Sequence, residues 1–129
     1  MRNTLIFVCL CGLAWGQLPD APSHQFLDTR AKVLFTIGGG LVIADAMTTQ
    51  HIIQAHGAEE LNPLARPMVT RGWKGQIAAS ALGYGSALGL AYVFHRTGHH
   101  RMERLVPMVL VGAETAAVAN NMVWNAGRR

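Results

Sequence analysis

Two carboxylates stand in stretches of chain that carry no other charge. Asp45 lies near the middle of the apolar run 33–53, and Glu114 near the middle of the run 105–124. Neither run contains a Lys or Arg that could neutralise them. A carboxylate in such surroundings is costly unless it is protonated, hydrogen-bonded to hydroxyls and amides, or gathered around a cation. The neighbours supply those partners. Thr49 follows Asp45 by one helical turn with Thr48 beside it, and Ile52 and His56 continue the same stripe. On the other run, Ala117 and Asn121 share the face of Glu114, with Asn120 adjacent. Facing stripes would join Asp45, Thr48, Thr49, Glu114 and Asn121 into one polar cluster. The first reading of such a cluster is interhelical hydrogen bonding, each bond worth about 0.6–2 kcal/mol, in a helix-packing or partner-binding protein. The alternative is a proton- or cation-linked permeation or transport element that uses Asp45 and Glu114.

Between the first and second apolar runs the chain reads Gly57-Ala58-Glu59-Glu60-Leu61-Asn62-Pro63-Leu64-Ala65-Arg66-Pro67. Asn before Pro places an N-cap at Asn62 and the first helical residue at Pro63, predicting a short interfacial helix. Capping accounts for Asn62 and Pro63 but does not require Glu60. The pattern Asp45-x-x-Thr48-Thr49 followed by Glu60-x-Asn62-Pro63 resembles the signature of an uncharacterised family of small prokaryotic multi-span membrane proteins, a domain of unknown function. The resemblance covers residues 33–124 and supplies no reaction. It implies that Asp45, Thr49, Glu60, Asn62 and Pro63 are the positions of first interest.

Other constellations lead to less. His95, His99, His100 and Glu103 carry metal-binding groups, but Gly98 breaks the helical spacing and loop histidines are commonly solvated. The sequence therefore predicts no metal and no cofactor. There is no H-E-x-x-H and no G-x-S-x-G. A membrane-embedded hydrolase built on Asp45, His56 and Glu60 is a second alternative function, without a nucleophile–base spacing to support it. Gly83-x-Gly85-x-x-x-Gly89 follows no strand and is one residue too long for a dinucleotide loop.

The elements that must hold these residues are membrane spans. Half the chain is hydrophobic and only 14% is charged. Soluble domains carry about 25% charged residues. Runs 33–53, 75–94 and 105–124 are each long enough to cross about 30 Å of hydrocarbon at about 1.5 Å per residue. A soluble bundle would need polar outer faces, which the second run lacks. The expected fold is all-α: three transmembrane helices and a short interfacial helix after the first. Small residues recur at helix-contact spacing: Ala79, Gly83, Ala87 and Ala91; Gly85 and Gly89; Gly40, Ala44 and Thr48; Gly112 and Ala116. These faces are expected to pack, within the chain or between copies in a homo-oligomer. Gly38-Gly39-Gly40 reads as close backbone approach or a kink.

Residues 1–16 have a basic start, a short apolar run and a small-x-small end, the layout of a cleavable signal peptide. Cleavage there would remove both Cys9 and Cys11, neither of which has a lipoprotein context. Residues 17–32 read as a flexible extension and 125–129 as a basic tail. Short-loop Lys and Arg fail to set orientation. Arg66, Arg71, Lys74, Arg128 and Arg129 on one side balance Arg30, Lys32, Arg96, Arg101 and Arg104 on the other. A cleaved leader would leave the carboxyl end in the cytoplasm of a bacterial inner membrane. The basic residues sit in short loops, which suits anionic lipid headgroups and excludes a nucleic-acid face.

Overall fold

The computed structural model describes residues 24–57, 59–60 and 62–127. The leader, residues 17–23 of the extension, Ala58, Leu61 and the terminal Arg128 and Arg129 lie outside the described residues. Four helices follow one another: α1 (Thr29–His56), α2 (Arg66–Val69), α3 (Trp73–Arg96) and α4 (His100–Ala126). The described residues form no strand. Helices α1, α3 and α4 are each long and apolar enough to cross a membrane.

Each span is longer than its apolar run because the chain supplies stop signals further out. Asp28 caps α1, its Oδ1 accepting from Ala31 N at 2.8 Å. The helix therefore starts at Thr29, ahead of the run at 33. Thr29 to Lys32, the last residues of the segment read as an extension, belong to this helix. Leu27 has φ 55°. It makes the left-handed turn that folds His24 and Phe26 back over the bundle. Phe26 packs edge-on against Tyr92, with ring centroids 5.2 Å apart. At the other end α1 stops at Gly57, whose φ is 61° and whose N–H bonds to Ile53 O. That left-handed residue is the usual terminator of a helix.

Between α1 and α3 the capping differs from expectation. Asn62 Oδ1 accepts from Leu64 N at 3.0 Å and Asn62 O from Arg66 N at 2.9 Å. These are the two bonds of an N-cap. The turn it closes is 63–65, however, and α2 begins only at Arg66, where Ala65 offers no side-chain cap. The α3–α4 connection is shorter still. Gly98, at φ 75°, donates to His95 O at 3.2 Å, and His99 N donates to Phe94 O at 2.8 Å. That is the paired bonding of a Schellman turn, which reverses the chain within a few residues.

Helix α1 packs most extensively along α4, α3 packs along α4, and α1 and α3 touch least. The close approaches fall at other glycines than the small-residue ladders. A Cβ on Gly38 would lie 2.8 Å from Leu110 Cδ2, and one on Gly39 would lie 3.5 Å from the Tyr84 ring. Tyr84 stacks edge-on against Phe35 and donates its hydroxyl to Phe35 O at 2.9 Å. Gly40, Gly83, Gly85, Gly89 and Gly112 meet nothing within 4 Å, and α1 runs unbroken through Gly38-Gly39-Gly40. Gly38 and Gly39 give room to side chains of α4 and α3 respectively. The ladder glycines thus make no close contact, whereas the ladder members Ala91, which is buried, and Thr48, which meets Asn121 of α4, do.

Polarity is inverted relative to a water-soluble core. Ile43, Met47, Ile77, Leu82, Val109 and Val123 all point outward. The buried set has as many polar members as hydrophobic ones: Thr49, Gln50, Gln76, His100 and Glu103 beside Phe35, Ala46, Ile52, Val69 and Ala91. Such an arrangement suits a hydrocarbon solvent, where apolar burial offers no driving force and polar groups must bond internally.

Candidate functional site

The gap between α1 and α3, closed on its third side by α4, forms a partly open cavity of about 770 Å³. Asp45 and Thr49 reach it from α1, Gln76, Ser80 and Tyr84 from α3, and Glu114, Asn121 and Trp124 from α4. Glu59, Glu60 and Asn62 line its end from the connection after α1. Both halves of the sequence motif, Asp45-x-x-Thr48-Thr49 and Glu60-x-Asn62-Pro63, therefore contribute to one cavity, Pro63 lying in the turn that Asn62 closes.

The structure brings four of the five cluster residues together. Asn121 Nδ2 donates toward Asp45 Oδ1 at 3.0 Å, Thr48 Oγ1 at 3.0 Å and Thr49 Oγ1 at 2.9 Å. Thr49 Oγ1 also donates to Asp45 Oδ1 at 3.3 Å, while Thr48 returns its hydroxyl to Ala44 O at 2.9 Å. One amide from α4 is thereby tied to one turn of α1. The fifth residue stands apart: among the described residues no group donates a hydrogen bond to Glu114, which lies on the cavity wall within electrostatic reach of Asp45. Glu60 is also within electrostatic reach of Asp45, and its Oε1 accepts from Asn62 N at 2.9 Å.

Arg66 is the basic residue nearest this end of the cavity in sequence. Its guanidinium pairs with Glu59 and donates through Nε to Glu60 O at 3.1 Å, which holds it in the loop. Among the described residues the lining contains the acids Asp45, Glu59, Glu60 and Glu114 and no Lys or Arg. His56 lines the same end, its ring edge-on to Trp124 at 5.6 Å.

Two glutamines at the site have no part in the sequence reading. Gln50 is wholly buried; its Nε2 donates to Val69 O at 3.0 Å and to Gln76 Oε1 at 3.2 Å, and its Oε1 accepts from Gln54 Nε2 at 3.2 Å. This fastens α1 to α2 and α3 on the cavity's edge. The signal that could have found them is a neutral amide in each of two apolar runs, where every polar group needs a partner.

The geometry offers a cavity of ligand size with converging negative groups, amides and hydroxyls to orient a guest, and the aromatic faces of Tyr84 and Trp124. Compared with known proteins, the chain matches no protein-family model, no curated protein and no solved structure.

Proposed function

We propose that the chain is a cell-membrane protein that binds a small organic cation in the cavity, with Asp45 and Glu114 as its counter-charges. In this reading the Asn62–Pro63 turn and α2 lie at the membrane interface, where the cavity's loop end meets water. The single observation that carries the proposal is the lining among the described residues: four acids, of which Glu59 is paired with Arg66, and no Lys or Arg. Interhelical bonding accounts for Asp45, which Asn121 and Thr49 both engage. It leaves Glu114 without a purpose, because no described residue donates to it. A cation supplies one. The cavity holds about 770 Å³. Such a volume lies in the range of small-molecule pockets and suits an organic ion better than a bare metal ion. Tyr84 and Trp124 add faces on which an ammonium group can rest.

Glu114→Gln separates the two accounts, since it removes charge without removing a described interhelical bond. Titration calorimetry of the purified protein with tetramethyl- to tetrabutylammonium ions should give saturable binding for at least one member. Glu114→Gln and Asp45→Asn should each weaken it by about tenfold or more, as expected for loss of a desolvated counter-charge. Unchanged affinity in both variants, or no saturable binding across the series, refutes the proposal.

A further inference from the structure

At the opposite end of the bundle, three imidazoles converge on one buried carboxylate. His24 precedes α1, His95 lies in the last turn of α3, and His100 and Glu103 open α4. His24 Nε2 lies 3.1 Å from Glu103 Oε1, His95 Nδ1 3.0 Å from Oε2, and His100 Nδ1 2.8 Å from Oε2. The rings pack edge-on, with centroids 4.8 Å apart for His24 and His100 and 5.3 Å for His95 and His100. His100 and Glu103 are each 4% exposed. We infer that His24, His95, His100 and Glu103 form a binding site for a divalent transition-metal ion of the zinc type.

Geometry and donor chemistry agree on this. Tetrahedral zinc with N and O ligands has bonds of about 2.0–2.1 Å, which puts ligand atoms about 3.4 Å from one another. The four candidate ligand atoms all lie within 4.8 Å of one another, and the ring nitrogens approach the carboxylate to 2.8–3.1 Å, so small side-chain rotations close the set around an ion. Three neutral imidazoles and one carboxylate are a donor set for zinc, copper or nickel, and too nitrogen-rich for magnesium or calcium. Among the described residues no Lys or Arg pairs with Glu103, so its charge is met only by histidines.

The sequence brings His95, His100 and Glu103 to notice, but its expectation of no metal fails to count His24 and the turn at Gly98. His24 lies far from the other three in the chain, and Gly98, which interrupts helical spacing, is the residue whose left-handed turn brings His95 back against His100 and Glu103. His99, the remaining histidine of the stretch, points elsewhere: its Nδ1 lies 3.0 Å from Thr97 Oγ1. The ion would fasten the segment before α1 to the α3–α4 turn.

The test uses the full chain purified from membranes in detergent, free of any histidine tag and stripped with a chelator. Co²⁺ should bind one ion per chain with the intense visible bands of tetrahedral coordination, and Zn²⁺ should displace it. His95→Ala and His100→Ala should each lower the affinity by about 100-fold or more, and His99→Ala should leave it unchanged. His24→Ala, outside every helix, carries the same prediction should the helical variants lose their circular dichroism. Failure of the unmodified chain to take up one Co²⁺ or Zn²⁺ at micromolar concentration overturns the site and reduces the quartet to interhelical hydrogen bonding. Binding that survives in a folded His24→Ala variant and in His100→Ala overturns it equally.

Discussion

Removing the amide of Asn121 should loosen the bundle by an amount the geometry bounds. Its Nδ2 faces three acceptors at 2.9–3.0 Å, Asp45 Oδ1, Thr48 Oγ1 and Thr49 Oγ1. An amide nitrogen has only two hydrogens, so at most two full bonds exist at once. Interhelical hydrogen bonds inside a membrane average about 0.6 kcal/mol with a maximum of about 1.7 kcal/mol, so Asn121→Ala should cost about 1.2 kcal/mol and no more than about 3.4 kcal/mol. The lower figure is the better expectation, because Asn121 borders the cavity and water there can serve the abandoned acceptors. The assay is reversible unfolding in mixed micelles on raising the dodecyl sulfate fraction, with the outward-facing Met122→Ala as control. Thr49→Val combined with Asn121→Ala should lose less than the sum of the two single changes by about 0.6 kcal/mol. An Asn121→Ala loss below about 0.3 kcal/mol, half of one average bond, or strict additivity with Thr49→Val, would refute the claim that this amide ties α4 to α1.

Two further perturbations address the joints around the cavity. A Cβ on Gly75 would overlap the carbonyl oxygen of Met68, whereas one on Gly85 would meet open space. Gly75→Ala must therefore push α2 away from α3; it should cost about 2–3 kcal/mol and lower membrane abundance, while Gly85→Ala should not. Gln50→Leu strips Val69 O and Gln76 of a buried donor. It should cost about 1–3 kcal/mol by the same unfolding assay, and adding Gln76→Leu should cost less than its effect alone.

What is readable in the sequence follows from which interactions are local. Three apolar runs of spanning length give three helices because length and hydropathy are properties of contiguous chain. The link of Asp45 to Thr49 is likewise local, one helical turn. The partnership of both with Asn121 is inferable because each run has few polar residues to match with the other. Glu114 groups with them on the same logic and shares their cavity, yet it joins none of their hydrogen bonds, since sharing a helical stripe with Asn121 does not fix which groups of the facing helix a residue meets. The ladders of small residues mislead for a related reason. Small side chains permit close approach but do not compel it, and where Gln50, Gln76 and Tyr84 bridge the helices, Ala79 and Gly83 are left lining empty space. Spacing cannot place His24 with His95 at all.

These successes and failures share a cause in the solvent. In water, burying an apolar stripe decides which face of a helix turns inward, and the stripe can be read from the sequence. In hydrocarbon an isoleucine gains little by turning inward, so the inward face is chosen by whatever needs a polar partner. For this chain those groups are few: Asp45, Thr49, Gln50, Gln76 and Asn121 toward one end, and His24, His95, His100 and Glu103 at the other. The same handful must therefore set the register of α1, α3 and α4 and provide any chemistry the protein performs. A variant that removes one of them tests fold and function together, whereas Glu114→Gln and His99→Ala, which break no described bond that joins one helix to another, are the changes able to tell the two apart.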